Sequence, residues 1–410
     1  MTSSKVRVLS LLTNLTMGGS ASRVLSFSRA LDRNRFTHTV LTLTPPEDQE
    51  ISQYGSMKPH FDRYQIPLEH LGEEPRSRRR RRQHGVSMLW GDAQSFARVL
   101  RRLSRYMSEH EVDIVDAHPN YATLFGLLAG RMAGVAAVVS TQYSDDLGHS
   151  PLRYAIQQAT LSQVDVIVSD SRFAIDKIQR WLLRPHKQAV VIPNGIFPPT
   201  LERGRAETRR FFDLPEDPNV RILGQVSRLV PYKGHRVLLD AARQVLEKEP
   251  ATAFLLCGYA HPPQYLEQLR RHTDELGIAD RVRIGGYPGS IADVWGAIDV
   301  HIHASLLDSS PIAIHESMAL GLPAVVTGVG GIRELVQDSR TALVVPPGDL
   351  PALVDAMLRV LRNPNLARSL GSHAQERFNS HFQAAVMTRN LEDLFCDLVK
   401  KSGRSAKIAT

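Results

Sequence analysis

VRILGQVSRLVPYKGH, residues 220–235, begins as a mainly apolar run without polar alternation and then gives way to Arg228 and a turn through Pro231 and Gly234. An unbroken run, as opposed to an alternating one, is what a parallel strand covered on both faces requires. Runs of the same kind follow as FLLCG (254–258), VRIGG (282–286), VHIHAS (300–305), PAVVTG (323–328) and ALVVP (342–346), with amphipathic helical patterns between them. Upstream the series is VRVLSLL (6–12), THTVLTL (37–43), VDIVDA (112–117), AAVVST (136–141), VDVIVS (164–169) and AVVIP (189–193). Helical patterns are read over Ala21–Leu31, over Ala122–Ala133 and near 151–163. Apolar runs alternating with helices are the signature of α/β folds built on parallel sheets.

At 410 residues the chain is too long for one core, since chains beyond roughly 250–300 residues split into domains. Pro and Gly cluster in IPNGIFPPTLERG (192–204), where helical periodicity lapses. The expected organisation is a first doubly wound domain over 1–198, a second over 199–380, and a terminal helix over 381–410 that packs back on the first. Such sheets bind ligands at the carboxyl ends of their strands.

Apolar residues at 42% and charged residues at 22% describe a globular protein and rule out wholesale disorder. Cys257 and Cys396 form no disulfide framework, which suits a reducing cytoplasm. The opening run VLSLL is far short of the about 20 apolar residues that a membrane span needs, and reads as a first strand. The net charge of +8 is uneven, because residues 1–195 hold 25 Lys plus Arg against 18 Asp plus Glu, a net of +7. That asymmetry points the first half at an anionic partner. Nucleic acid is the weakest candidate, since the basic stretches lack interleaved aromatics.

The run RSRRRRRQHG (76–85) lies in a stretch from Thr44 to Gly91 with little periodicity and reads as a solvated loop. In FARVLRRLSRYM, Phe96, Val99, Leu100, Leu103 and Met107 recur at helical spacing, while Arg98, Arg101, Arg102 and Arg105 crowd the rest. Such a helix either packs on the first sheet or lies on an anionic bilayer with its apolar stripe in the interface.

Two stretches carry chemistry. In SLLDSSPIAIHESMALGLPAVVTGVGGIREL (305–335), Ser309 or Ser310 reads as the cap of a helix whose first residue is Pro311. Its amides and dipole make a site for phosphate or sugar oxygens. Asp308 stands just before that helix and Glu316 inside it, separated by roughly 8–12 Å. In residues 224–235, Arg228 and Lys233 place two cations at a strand's carboxyl end, where they can hold a diphosphate and stabilise charge on a leaving group. The spacing of MGGSASR (17–23) does not match the dinucleotide fingerprint. There is no Asp-X-Asp sequence to hold a metal on a diphosphate, and no metal or cofactor is expected.

With MGG, DIVDAHP, VIPNG, SRLVPYKGH, the carboxylates Asp308 and Glu316, and GLPAVVTGVGGIRELV, nearly the whole chain resembles the large retaining glycosyltransferase family numbered four. That resemblance implies the GT-B fold, two Rossmann-like domains facing a central cleft. It also implies that Arg228 and Lys233 bind the donor diphosphate, Glu316 the ribose hydroxyls and Asp308 the transferred sugar, with the backbone of Ser309, Ser310, Pro311 and Ile312 serving sugar and diphosphate. Gly18 and Gly19 would approach the donor phosphates, Gly286 and Tyr287 the base, and His118 the reacting sugar. Three departures stand out: Asp308 where the family usually has Glu, SASR (20–23) after the glycines, and Gln142 with Tyr143 in place of a frequent histidine. His301 and His303, beside the cleft and without a third ligand at metal spacing, read as core residues or as supports for the residues that contact the ligand.

The function so implied is transfer of a sugar from a nucleotide diphosphate sugar, UDP first and GDP next, to a hydroxyl of a glycan, lipid-linked or small-molecule acceptor. The expected place is the cytoplasm, with peripheral contact to an anionic membrane. An epimerase on a similar fold and a silent partner subunit are the alternatives.

Overall fold

A computed structural model describes residues 5–16, 18–44, 56–71, 93–119, 121–143 and 151–403. The chain forms two units, one of Met1–Gly195 with Ala384–Thr410 and one of Ile196–Gln383.

The first unit holds a parallel sheet of seven strands: β1 (Val6–Leu12), β2 (Phe36–Thr42), β3 (Leu68–His70), β4 (Ile114–Ala117), β5 (Ala137–Gln142), β6 (Val166–Ser169) and β7 (Ala189–Val191), in the order β3-β2-β1-β4-β5-β6-β7. Successive residues of one strand serve opposite cores. Leu9, Val115, Val138 and Ile167 pack with Phe125 and Leu103 on one face, whereas Val8, Ile114, Val139 and Val168 pack with Phe27 and Phe395 on the other. Because both faces are covered, the runs had no polar alternation to show.

On the second face the helix Ala384–Lys401 supplies Met387, Leu391 and Phe395. Phe395 meets Phe27 edge-on with centroids 5.9 Å apart, and Glu392 accepts from the Asp32 amide at 2.8 Å.

Two short elements, β3 and the helix Lys58–Arg63, lie within the stretch of little periodicity from Thr44 to Gly91. At three and six residues they are too short to complete a detectable period. The arginine run at 78–82 lies outside the described residues. In the helix Ala93–Glu109, Leu103 and Met107 are buried, Phe96, Val99 and Leu100 pack on the same core, and the Phe96 ring sits 4.9 Å from that of Phe125. The apolar stripe is therefore spent on the sheet, the first of the two readings of this helix. Arg98, Arg101, Arg102 and Arg105 remain exposed.

The second unit holds a parallel sheet of β8 (Arg221–Val226), β9 (Thr252–Cys257), β10 (Val282–Gly285), β11 (Val300–His303), β12 (Ala324–Thr327) and β13 (Leu343–Val345), in the order β10-β9-β8-β11-β12-β13. In sequence rank within the unit this is 3-2-1-4-5-6, the doubly wound nucleotide-binding order. Chain direction across the sheet reverses between β8 and β11, as it does between β1 and β4 in the first unit. Helices on either side of such a point diverge and leave a crevice at the strand ends, which is where ligands bind. Among the described residues no helix is long and apolar enough to cross a membrane.

Candidate functional site

Of the residues singled out in the second unit, Arg228, Lys233 and Asp308 gather at the reversal between β8 and β11, whereas Gly286 and Tyr287 follow the edge strand β10. After β8 the chain passes Arg228, makes a single tight turn over Pro231–Lys233 and reaches Gly234 at φ 71°. A Cβ on Gly234 would lie 1.9 Å from the Ala304 carbonyl oxygen, so only glycine lets the two loops touch. Gln225, inside β8, ties them together: its Nε2 donates to the Lys233 carbonyl at 2.8 Å and its Oε1 accepts from the Ala304 amide at 3.1 Å. The Leu306 amide donates to the Tyr232 carbonyl at 2.8 Å.

These ties bring Lys233 to Asp308. Lys233 Nζ donates to Asp308 Oδ2 at 2.5 Å, His303 Nε2 donates to the same oxygen at 2.9 Å, and Ser305 Oγ at 3.1 Å. Burial pushes the Asp308 carboxyl upward, but the His303 hydrogen bond and the Lys233 charge outweigh it and hold the group well below the usual carboxylate range. Burial lowers His303, which keeps the ring neutral, with its proton on Nε2 facing Asp308. Three donors thus crowd Oδ2, while Oδ1 accepts from the Ser309 amide at 3.2 Å. The carboxylate is anchored by one oxygen, and the other retains lone pairs for a ligand. Arg228 is held differently, its Nη2 donating to the Tyr232 hydroxyl at 2.6 Å.

The helix after Asp308 runs Ile312–Ala319. Pro311 occupies the cap position with an extended ψ of 125°, and no side chain caps the helix. This corrects the expected serine cap with Pro311 as first helical residue. Ser310 Oγ is instead buried without a partner among the described residues, and the amides of the first turn lack intrahelical acceptors. One and a half turns on, Glu316 Oε2 accepts from Trp295 Nε1 at 2.9 Å. Burial pushes the Glu316 carboxyl up to about 7, against the downward pull of that hydrogen bond.

Gly286 follows β10, and a Cβ there would meet the Tyr259 ring at 2.9 Å. Tyr287 turns its side chain into the core, with its ring 5.0 Å from that of Phe211 and its hydroxyl 3.3 Å from Asp293 Oδ2. What Tyr287 offers a ligand is therefore backbone. The aromatic face beside Gly286 belongs to Tyr259, half exposed at the end of β9, and sequence reasoning passed it over. Its place directly after FLLCG, at a strand's carboxyl end, was the available signal. Trp295 was missed as the partner of Glu316, and His303, read as a core residue or a support, was not assigned to Asp308, because such contacts join residues from different elements.

In the first unit the polar residues also collect at strand ends. His118, directly after β4, is buried with its Nε2 3.3 Å from Asp116 Oδ2, and among the described residues neither ring nitrogen has a hydrogen-bond partner of good geometry. Burial raises the Asp116 carboxyl, but His118, Thr141 and Arg23 together hold it below its ordinary value. Gly18 precedes the helix Gly19–Ala30, and a Cβ on either glycine would meet nothing within 4 Å. Arg23, buried in that helix, donates to the Ile192 carbonyl at 3.0 Å and to Asn194 Oδ1 at 2.8 Å. The SASR segment thus ends in an arginine that fastens the helix to the VIPNG turn. Gln142 and Tyr143, at the end of β5, are both buried. Among the described residues no three His, Cys, Asp or Glu stand together as metal ligands.

Two parallel sheets in one chain, the second with a lysine, a carboxylate and a helix start gathered at its reversal point, make a doubly wound protein with a candidate site for an anionic ligand, and its relatives identify its class as the GT-B glycosyltransferases. The structure of HepE from Anabaena in complex with UDP and glucose matches 94% of this chain and 98% of that one, with a TM-score of 0.75 at 21% identity. Residues 206–377 match the glycosyl transferases group 1 model, and residues 17–198 match glycosyltransferase family 4. Among curated proteins, the GDP-mannose-dependent alpha-(1-6)-phosphatidylinositol monomannoside mannosyltransferase of Mycolicibacterium smegmatis is 30% identical over 293 residues, 67% of this chain and 73% of that one. The UDP-Gal:alpha-D-GlcNAc-diphosphoundecaprenol alpha-1,3-galactosyltransferase of Escherichia coli is 23% identical over 313 residues, 72% of this chain and 78% of that one. The chain belongs to glycosyltransferase family 4, the group 1 glycosyl transferases.

Proposed function

We propose that this glycosyltransferase moves a sugar from a nucleoside diphosphate donor, UDP before GDP, to an acceptor hydroxyl with retention of anomeric configuration and without a metal ion. The observation that carries the reading is the anchored Lys233–Asp308 pair at the reversal point of the second sheet, 2.5 Å apart and braced by His303. Support for the donor class comes from relatives named for UDP-galactose and GDP-mannose and from a structural neighbour that holds UDP and glucose.

In this reading Lys233 and Arg228 meet the diphosphate, and an arriving phosphate competes with Asp308 for the lysine. Asp308 Oδ1 takes a hydroxyl of the transferred sugar, the backbone from Ser309 to Ile312 serves sugar and diphosphate, and Glu316 takes the ribose hydroxyls. The backbone of Gly286 and Tyr287 lies beside the base. From the first unit, Gly18 and Gly19 admit close approach to phosphate, and His118 serves the transferred sugar. The acceptor oxygen bonds to the anomeric carbon on the face from which the diphosphate departs. The C–O bond pair leaves on a diphosphate oxygen, and that oxygen takes the acceptor proton. A glycoside and a nucleoside diphosphate result. Fixed positive charge replaces the metal in stabilising the departing oxygen.

Cys257 and Cys396 are buried free thiols, which suits a reducing cytoplasm. The exposed arginines of the helix Ala93–Glu109 are the basis for peripheral contact with an anionic membrane.

The test is release of nucleoside diphosphate from UDP- and GDP-sugars with and without candidate acceptors, in excess chelator. Transfer requires acceptor and survives chelation. Isomerised donor without acceptor would instead mean an epimerase, no release under any condition a silent subunit, and loss on chelation a metal site.

A further inference from the structure

We infer that the first unit carries a binding pocket for a small, largely apolar molecule that donates one hydrogen bond to Gln142. The inference rests on the acceptor side of the function proposed above and gives that acceptor a chemical class, a hydroxylated apolar aglycone.

A cavity of about 430 Å³ opens between the helices Tyr121–Ala133 and Pro151–Leu161, at the carboxyl end of β5. That volume falls within the roughly 300–1,000 Å³ typical of sites that take drug-sized molecules. Leu124, Leu152, Ile156 and Leu161 give it aliphatic walls, and Tyr121, Thr123, Gln142, Arg153, Gln157 and Thr160 complete the lining. Leu152 is 69% exposed.

In the structure the Gln142 amide turns Nε2 toward two hydroxyls, donating to Thr123 Oγ1 at 3.1 Å and to Ser140 Oγ at 2.8 Å, while Thr123 Oγ1 lies 3.1 Å from both the His118 carbonyl and Ser140 Oγ. Oε1 is thereby left as a buried acceptor with no donor, on a side chain only 1% exposed. Native interiors rarely leave such an atom unmet. Because Gln142 lines the cavity, a ligand hydroxyl there supplies the missing donor, and the aliphatic walls take its apolar body. The chain Thr123–His118 also links this residue to the histidine that follows β4.

The test uses umbelliferone, a fluorescent apolar phenol, and herniarin, its methyl ether, which has the same shape and no donor. Both are titrated into the full chain without nucleotide sugar, at mildly acidic pH where the phenol keeps its proton. Umbelliferone should saturate and bind about five- to tenfold more tightly than herniarin, the range expected of one hydrogen bond to a buried acceptor. In Gln142→Leu the difference between the two should vanish. Ile156→Trp, a change on the partly exposed wall, should abolish binding of both while leaving UDP affinity by calorimetry as in the wild type. No saturable binding, equal affinity for the two coumarins, or undiminished binding in Ile156→Trp would overturn the pocket. Saturable binding in a protein that releases no nucleoside diphosphate from any donor would leave the pocket standing and fail the transferase mechanism, so the two failures are distinguishable.

Discussion

Replacing Glu316 by Gln should remove a pH dependence that the folded second unit otherwise carries. Burial raises the carboxyl from 4.5 to about 7 in the folded protein, so folding takes up a proton between those two values. The neutral form's advantage is whole below about pH 4.5, fades as pH rises, and is gone above about pH 7. A separation of about 2.5 in pKa corresponds to about 3 kcal/mol in all, of which about 2 kcal/mol falls between about pH 5.5 and pH 8. Glutamine keeps the shape and an oxygen for Trp295 Nε1 but never ionises. Scanning calorimetry of wild type and Glu316→Gln at those two pH values should show the variant gaining on the wild type by about 4–8 °C as pH rises. The nucleotide side follows from the same carboxylate. If ribose hydroxyls bind it ionised, UDP affinity in the wild type should improve with pH relative to the variant, the nucleotide's own titration cancelling in the comparison. A stability difference that stays constant between the two pH values would refute the raised carboxyl, and a constant affinity ratio would refute its role at the ribose.

Lys233→Ala and Arg228→Ala should each reduce turnover by about a hundredfold or more, because a positioned charge aimed at a leaving group is worth about 2.7–4 kcal/mol. Steady-state rates on folded protein check this, and less than a threefold loss in both would remove the pair from the mechanism. Gly234→Ala should lower both thermal stability and donor affinity, since its Cβ would sit 1.9 Å from the Ala304 carbonyl oxygen in a left-handed backbone. Calorimetry that finds either unchanged would mean the two loops are not coupled as described. Vesicle flotation should recover the protein with anionic but not neutral lipid at low salt, with recovery lost at high salt, because Phe96, Leu100 and Leu103 are packed against the core and leave mainly charge to dock. Binding that persists in high salt would require an apolar anchor that the helix does not offer.

Much of the fold was legible in the sequence because parallel strands with both faces covered write themselves as unbroken apolar runs. The two cycles of such runs, from VRVLSLL to AVVIP and from VRILGQVS to ALVVP, match twelve of the thirteen strands within a few residues at each end. The exception is β3, whose three residues carry no period. Local chemistry was legible too: cations after β8 and carboxylates flanking a helix start are short-range patterns that a sequence displays directly. Three things were settled only by tertiary contact. Phe96, Leu100 and Leu103 form the same amphipathic stripe whether a helix meets a bilayer or a sheet, and only packing against Phe125 decided between them. Asp308 and Lys233 lie 75 residues apart, and the distance between them depends on a glycine and a glutamine that join two loops. The ionisation of Glu316 follows from the density of protein around it and from Trp295, neither of which the helix IAIHESMA contains. Hydrophobic periodicity is a property of one segment read along itself, whereas burial of a charge and pairing of distant side chains are properties of what the other segments bring to it.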